Sequence, residues 1–105
     1  WRTGGFGPWM VTRDEIADGE VLTLETRLNG QVMQHATTDM LIFSIPEQIA
    51  YISTFTTLEP GDVIVTGTPG GVGARRTPPV WMKPGDRVEI EVSKAGVLVN
   101  SIARE

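Results

Sequence analysis

From Val21 to Leu28 the chain alternates without a break: Leu22, Leu24, Thr26 and Leu28 fall on one side, Thr23, Glu25 and Arg27 on the other, and Asn29-Gly30 follows at once. Period-two alternation marks a half-buried strand, because successive side chains of extended backbone point to opposite faces. Asn-Gly suits a type I′ turn, whose two central residues both need positive φ. Together they predict an antiparallel hairpin whose return strand runs from Gln31 to about Thr37. In direct register Leu28 faces Gln31, Thr26 faces Met33 and Leu24 faces His35. His35, the single histidine, is then a half-buried, hydrogen-bonded residue on the core side of the sheet.

Other punctuation extends the pattern. Ser44-Ile45-Pro46-Glu47 has the spacing of a capping box, and Ile45, Ile49 and Ile52 recur at helical intervals, predicting a short helix from about 45 to 56. Two turns repeat, Glu59-Pro60-Gly61-Asp62 and Lys83-Pro84-Gly85-Asp86. Pro followed by Gly at the central positions reads as a type II turn. The first leads into the continuously apolar Val63-Ile64-Val65, read as a strand buried on both faces. The second leads into Arg87–Val92, which alternates and so has one wet face; Ser93 to Gly96 turns the chain, and Val97 to Ile102 returns. The sum is a mainly-β fold of five or six short strands with one helix.

A chain of 105 residues holds one domain or part of one. It is long enough to bury about two-thirds of its unfolded surface around a modest core. A start at Trp1 reads as part of a longer polypeptide. With no cysteine there is neither a disulfide framework nor a thiolate zinc site. A net charge of −4 gives no basic footprint for nucleic acid or an anionic membrane surface. No apolar run approaches the roughly 20 residues that span a bilayer. These features suit a soluble, cytoplasmic chain.

Glycine is concentrated in Thr66-Gly67-Thr68-Pro69-Gly70-Gly71-Val72-Gly73, four of eight residues. Such a run lets backbone amides approach a ligand and form an anion-binding concavity, with the Thr68 hydroxyl beside them. It also suits a glycine-rich corner of a β structure. A P-loop is excluded because Gly73 precedes Ala74-Arg75 rather than Lys-Ser/Thr, and Pro78-Pro79 forbids the helix that a dinucleotide fingerprint requires. No Lys or Arg occurs from Leu28 to Ala74, after which Arg75 and Arg76 follow the loop, where they could flank a pocket for a carboxylate. The carboxylate pairs Asp14-Glu15, Asp18 with Glu20, and Glu89 with Glu91 form no convincing metal site or acid/base dyad. The first two read as a surface turn region and the last as a solvated sheet face.

The order and spacing of Gly7-Pro8-Trp9-Met10-Val11-Thr12, Asn29-Gly30 with Gln34, Thr38-Asp39-Met40-Leu41-Ile42-Phe43-Ser44, the run from Leu58 to Gly73, and Lys83-Pro84-Gly85-Asp86 with Val88-Glu89-Ile90-Glu91 resemble the C-terminal half of the fumarylacetoacetate hydrolase family. The resemblance covers essentially the whole chain. It implies a mixed, layered β-roll and usually a homodimer. It also implies a Mg²⁺-dependent (or Mn²⁺- or Ca²⁺-dependent) hydrolase, isomerase or decarboxylase of 2-oxo acids and 1,3-dicarbonyl compounds. The family's acidic metal ligands, its His–Glu base and its site lysine have no counterpart among these residues. This chain is therefore expected to be the C-terminal part of the catalytic domain, 1–105, with catalytic and metal-binding groups elsewhere. What carries over is Thr68, as a ligand of the substrate carboxylate, with Gly67, Pro69 and Gly70 shaping its loop. The run Trp1-Arg2-Thr3-Gly4-Gly5-Phe6 departs from the Phe-Asp-type run that the family usually carries ahead of its Gly-Pro. The alternative is a non-catalytic small-molecule binding or dimerisation module on the same fold.

Overall fold

Asn29 (φ 51°) and Gly30 (φ 81°) both take left-handed backbone and close an antiparallel hairpin between β1 (Thr23–Leu28) and β2 (Gln31–Thr37), as their sequence requires. A computed structural model describes residues 4–104. Trp1, Arg2 and Thr3, where the chain departs from the family's usual run, lie outside the described residues. After β2 come a 3₁₀ turn (Thr38–Met40), helix α1 (Ile45–Ile52), a second 3₁₀ turn (Gly73–Arg75), β3 (Arg87–Val92) and β4 (Gly96–Ser101). The described residues thus form a mainly-β fold with one short helix. Its four strands make one antiparallel sheet in the order β2-β1-β3-β4.

The two hairpins join along β1 and β3, and the long excursion of residues 38–86 between β2 and β3 carries the helix and the glycine-rich loop. Turn residues strengthen that seam. The Asn29 side chain donates to Asp86 Oδ1 (2.9 Å) and accepts from the Arg87 amide (2.9 Å), while its own amide donates to the Arg87 carbonyl (2.8 Å). Gly61 (φ 104°) and Gly85 (φ 92°) adopt the positive φ of the Pro-Gly turns. In each turn the aspartate amide donates back to the first residue's carbonyl, and its carboxylate accepts that residue's amide: Glu59 with Asp62 at 3.0 and 2.8 Å, Lys83 with Asp86 at 3.0 and 2.7 Å.

The capping box forms in full, with the Ser44 hydroxyl accepting from the Glu47 amide and the Glu47 carboxylate accepting the Ser44 amide at 2.7 Å. The helix is shorter than its predicted span of 45–56. It ends at Ile52, where the Ser53 hydroxyl donates to the Ile49 carbonyl, and hydrogen-bonded turns carry on to Thr56.

Several expectations fail for one reason: this chain does not enclose its apolar surface. Among the described residues none is fully buried. The accessible surface is 8499 Å², where a compact protein of this mass exposes about 5,800 Å². About half of the unfolded surface is removed from water, rather than two-thirds. The radius of gyration, 15.5 Å, exceeds the roughly 13 Å of a compact chain of this length. Val63-Ile64-Val65 is not a buried strand: the segment has no ladder partner among the described residues, and Val65 is 87% exposed. Hence four strands stand where five or six were expected.

The two sheet faces also depart from the simple division into dry and wet. Leu24, Thr26 and Leu28 share a face with Val92, Ile90 and Val88. On the other face Arg27 is bonded to Glu25 (2.6 Å) and Glu91 (2.8 Å), with Glu89 at 3.8 Å and Glu89 in turn held by Arg87 (2.8 Å). Glu89 and Glu91 are therefore not a freely solvated pair. The Glu89 side chain is only 13% exposed while Ile90 is 36% exposed. Charge pairing covers Glu89, while Arg87 and Glu91 stay more exposed, and Leu24, Leu28, Val88 and Val92 on the apolar face are half-buried. The Asp14–Glu20 region is a surface turn as expected, with Arg13 paired to Asp18 and Glu20 to Lys94 (2.5 Å). The Lys94 hydrogen bond holds the Glu20 carboxyl below the usual carboxylate range.

Candidate carboxylate-binding loop

Thr66–Gly73 crosses over β2 rather than extending from a buried strand. Its position is set by β2 residues. The Gln34 side-chain amide donates to the Thr68 hydroxyl oxygen (3.0 Å) and to the Pro69 carbonyl (2.9 Å). Arg76 reaches back from the far side of the loop, its Nε donating to the Gly71 carbonyl (3.0 Å) and its terminal nitrogen to the Met33 carbonyl. Gly71 (φ 100°) makes this approach possible, since a Cβ there would lie 2.2 Å from the Met33 oxygen. Gly73 is equally enclosed: a Cβ would sit 2.1 Å from the Val80 carbonyl, and the Gly73 carbonyl accepts from the Val80 amide at 3.0 Å, closing the following turn.

Held this way, the loop presents unpaired donors. Among the described residues no backbone N–H from Thr66 to Gly71 is donated to a protein acceptor. Gly67 (φ 109°) and Gly71 hold left-handed backbone on either side of Thr68, Pro69 and Gly70, and Thr68 itself is exposed. A hydroxyl among bare amides on glycine-rich backbone is suited to an anionic oxygen. Gly67, Thr68, Pro69 and Gly70 form the part of the loop that Gln34 contacts, through Thr68 and Pro69. The two arginines part company: Arg76 is occupied by backbone carbonyls and acts as a stitch, while Arg75 is exposed and takes no part in it.

His35 is not on the core side. The pairing slips by one residue within β2, so His35 stands opposite Glu25 rather than Leu24. Its side chain is 60% exposed, with Nδ1 3.6 Å from Glu25 Oε2. Gln34 takes the inward place instead and contacts the loop, a placement that alternation alone misses. Among the described residues no three His, Asp or Glu side chains converge to hold a metal ion, and no helix is long and apolar enough to cross a membrane.

The architecture is an antiparallel sheet with a glycine-rich loop laid across its β2 edge. Residues 2–103 match the family model described as fumarylacetoacetate (FAA) hydrolase C-terminal, and the chain belongs to that family. It is 47% identical over 96 residues to the mitochondrial oxaloacetate tautomerase FAHD2A of Bos taurus, covering 91% of this chain and 31% of that protein. A fumarylacetoacetate hydrolase from Exiguobacterium antarcticum superimposes with a TM-score of 0.90 at 36% identity, covering 95% of this chain and 36% of that one. Maleylpyruvate hydrolase from Sphingobium sp. SYK-6, solved with manganese(II) and pyruvate, superimposes with a TM-score of 0.81 at 38% identity, covering 92% and 34%. The chain spans about a third of the length of these relatives.

Proposed function

We propose that this chain is the C-terminal part of a catalytic domain acting on 2-oxo acids or 1,3-dicarbonyl compounds, and that its Thr66–Gly71 loop binds the substrate carboxylate. The observation that carries the reading is the run of undonated amides around an exposed Thr68 hydroxyl. The relatives support the substrate class, since their names include an oxaloacetate tautomerase and a maleylpyruvate hydrolase. Hydrolysis, isomerisation and decarboxylation of such compounds share an enol or enolate. The chain's own part is to anchor one end of the substrate so that the reacting carbons are held in one orientation.

Among the described residues no three His, Asp or Glu side chains converge on a point where they would hold a metal ion by themselves. The divalent ion, Mg²⁺ or else Mn²⁺ or Ca²⁺, is assigned to residues outside this chain; the manganese complex of the Sphingobium enzyme supports a metal in the family. A homodimer is the state expected from the family resemblance. The cytoplasm is the compartment expected from the sequence, whereas the bovine relative is named as mitochondrial.

Thr68→Val in the full-length protein tests the assignment. It keeps the branched shape and removes the hydroxyl. A lost hydrogen bond to a charged group weakens kcat/KM by on the order of 10- to 100-fold, with melting temperature and metal affinity unchanged. An unaltered kcat/KM would rule the assignment out. Binding of 2-oxo acids without turnover of any of them would favour a non-catalytic module.

A further inference from the structure

The slip in β2 does more than displace His35. Val32 stands opposite Arg27, but Gln34 stands opposite Thr26, which leaves Met33 as the extra residue of a β-bulge. A slip of one residue exchanges the faces of everything beyond it. In direct register Gln34 would lie opposite Glu25, on the charged face. With the bulge it shares the face of Leu24 and Thr26 and meets the loop. Met33, without a partner on β1, presents its carbonyl to Arg76 at the same spot.

The polarity of this contact is determined by chemistry. Pro69 O can only accept, so the Gln34 group facing it must be the NH₂. That NH₂ has two hydrogens, one for Pro69 O and one for Thr68 Oγ1, at 2.9 and 3.0 Å. Thr68 is therefore an acceptor toward Gln34, and its single hydroxyl proton points elsewhere, available to a ligand. We propose that Gln34 is a positioning residue that sets Thr68 as a hydrogen-bond donor to the substrate carboxylate, and that the Met33 bulge exists to deliver it. The inference rests on the reading of Thr68 given above.

The test uses the full-length, metal-loaded protein, with kcat and KM for a 2-oxo acid substrate and pyruvate affinity by calorimetry. Gln34→Met keeps the length and removes both donors; kcat/KM is expected to fall about fivefold, mainly through KM, as for one neutral hydrogen bond. Gln34→Glu is isosteric but accepts the Thr68 proton and sets a negative charge near the carboxylate. It is expected to lose on the order of tenfold more, with pyruvate affinity falling in parallel. Because it preserves shape, it decides the question even if the Met variant disturbs the loop. In a Thr68→Val background, Gln34→Met should change kcat/KM by less than about twofold, since the residue acts through Thr68. Full additivity of the two substitutions, or wild-type kinetics in Gln34→Glu, overturns the proposal while leaving Thr68 as a ligand. A silent Thr68→Val overturns both readings.

Discussion

Gly71 combines a left-handed φ with an absence of space, and the two constraints reinforce each other. Gly71→Ala must both strain the backbone and push the loop off the Met33 carbonyl, 2.2 Å from the new Cβ. We expect it to destabilise the full-length protein by about 1–3 kcal/mol and to lower kcat/KM by moving Thr68; an unchanged melting temperature would contradict this packing. His35 is the opposite case. Exposed beside Glu25, it behaves as a surface residue, so His35→Gln should shift stability by no more than about 0.5 kcal/mol and leave turnover intact. Loss of turnover in a folded His35→Gln protein would restore the histidine to the site.

At the scale of elements, stability comes from side chains that cap their own turns. Ser44→Ala removes the acceptor for the Glu47 amide and should cost about 1 kcal/mol in thermal or denaturant unfolding, as for an ordinary N-cap. The acids in these devices also set a pH dependence. The Ser44 hydrogen bonds hold the Glu47 carboxyl below its ordinary value of 4.5, and the Asn29 side chain, with the Lys83 amide, holds Asp86 below 3.8. A carboxyl whose pKa is lower folded than unfolded stabilises the fold above the unfolded value, and that contribution fades as pH falls through the folded one. Both contributions are thus complete at neutral pH; on acidification that of Glu47 fades below about pH 4.5 and that of Asp86 below about pH 3.8. Asp86→Asn should flatten the acid limb of a melting-temperature profile; a slope identical to wild type would show that Asp86 does not contribute to it.

On the scale of the whole molecule, exposed apolar side chains dominate. Ile42 (91% exposed), Phe43, Tyr51, Phe55, Trp81 and Met82 all lie exposed, far beyond the scattered apolar residues normal for a monomer surface. Produced alone, the 105-residue chain should bind a hydrophobic dye such as ANS and self-associate. With excess Mg²⁺ it should neither cleave acylpyruvates nor decarboxylate oxaloacetate above the metal-only rate. Turnover by the isolated chain would mean that it holds an acid/base set of its own.

The hairpin turn, both Pro-Gly-Asp clasps and the capping box were legible in the sequence because each is closed by groups within about four residues of one another. So was the glycine-rich loop, whose composition announces bare amides wherever it lies. The register beyond Met33 was not legible. Alternation carries no record of an inserted residue, and the bulge is held by Arg76 and Gly71, some forty residues away. That one slip exchanged His35 for Gln34 at the loop. The lack of enclosure was equally hidden: Val63-Ile64-Val65 is apolar enough to be buried, but burial needs a partner surface. The sequence determined which short motifs form. Only the tertiary structure decided which side chains meet across the sheet, because pairing is a property of two distant segments at once.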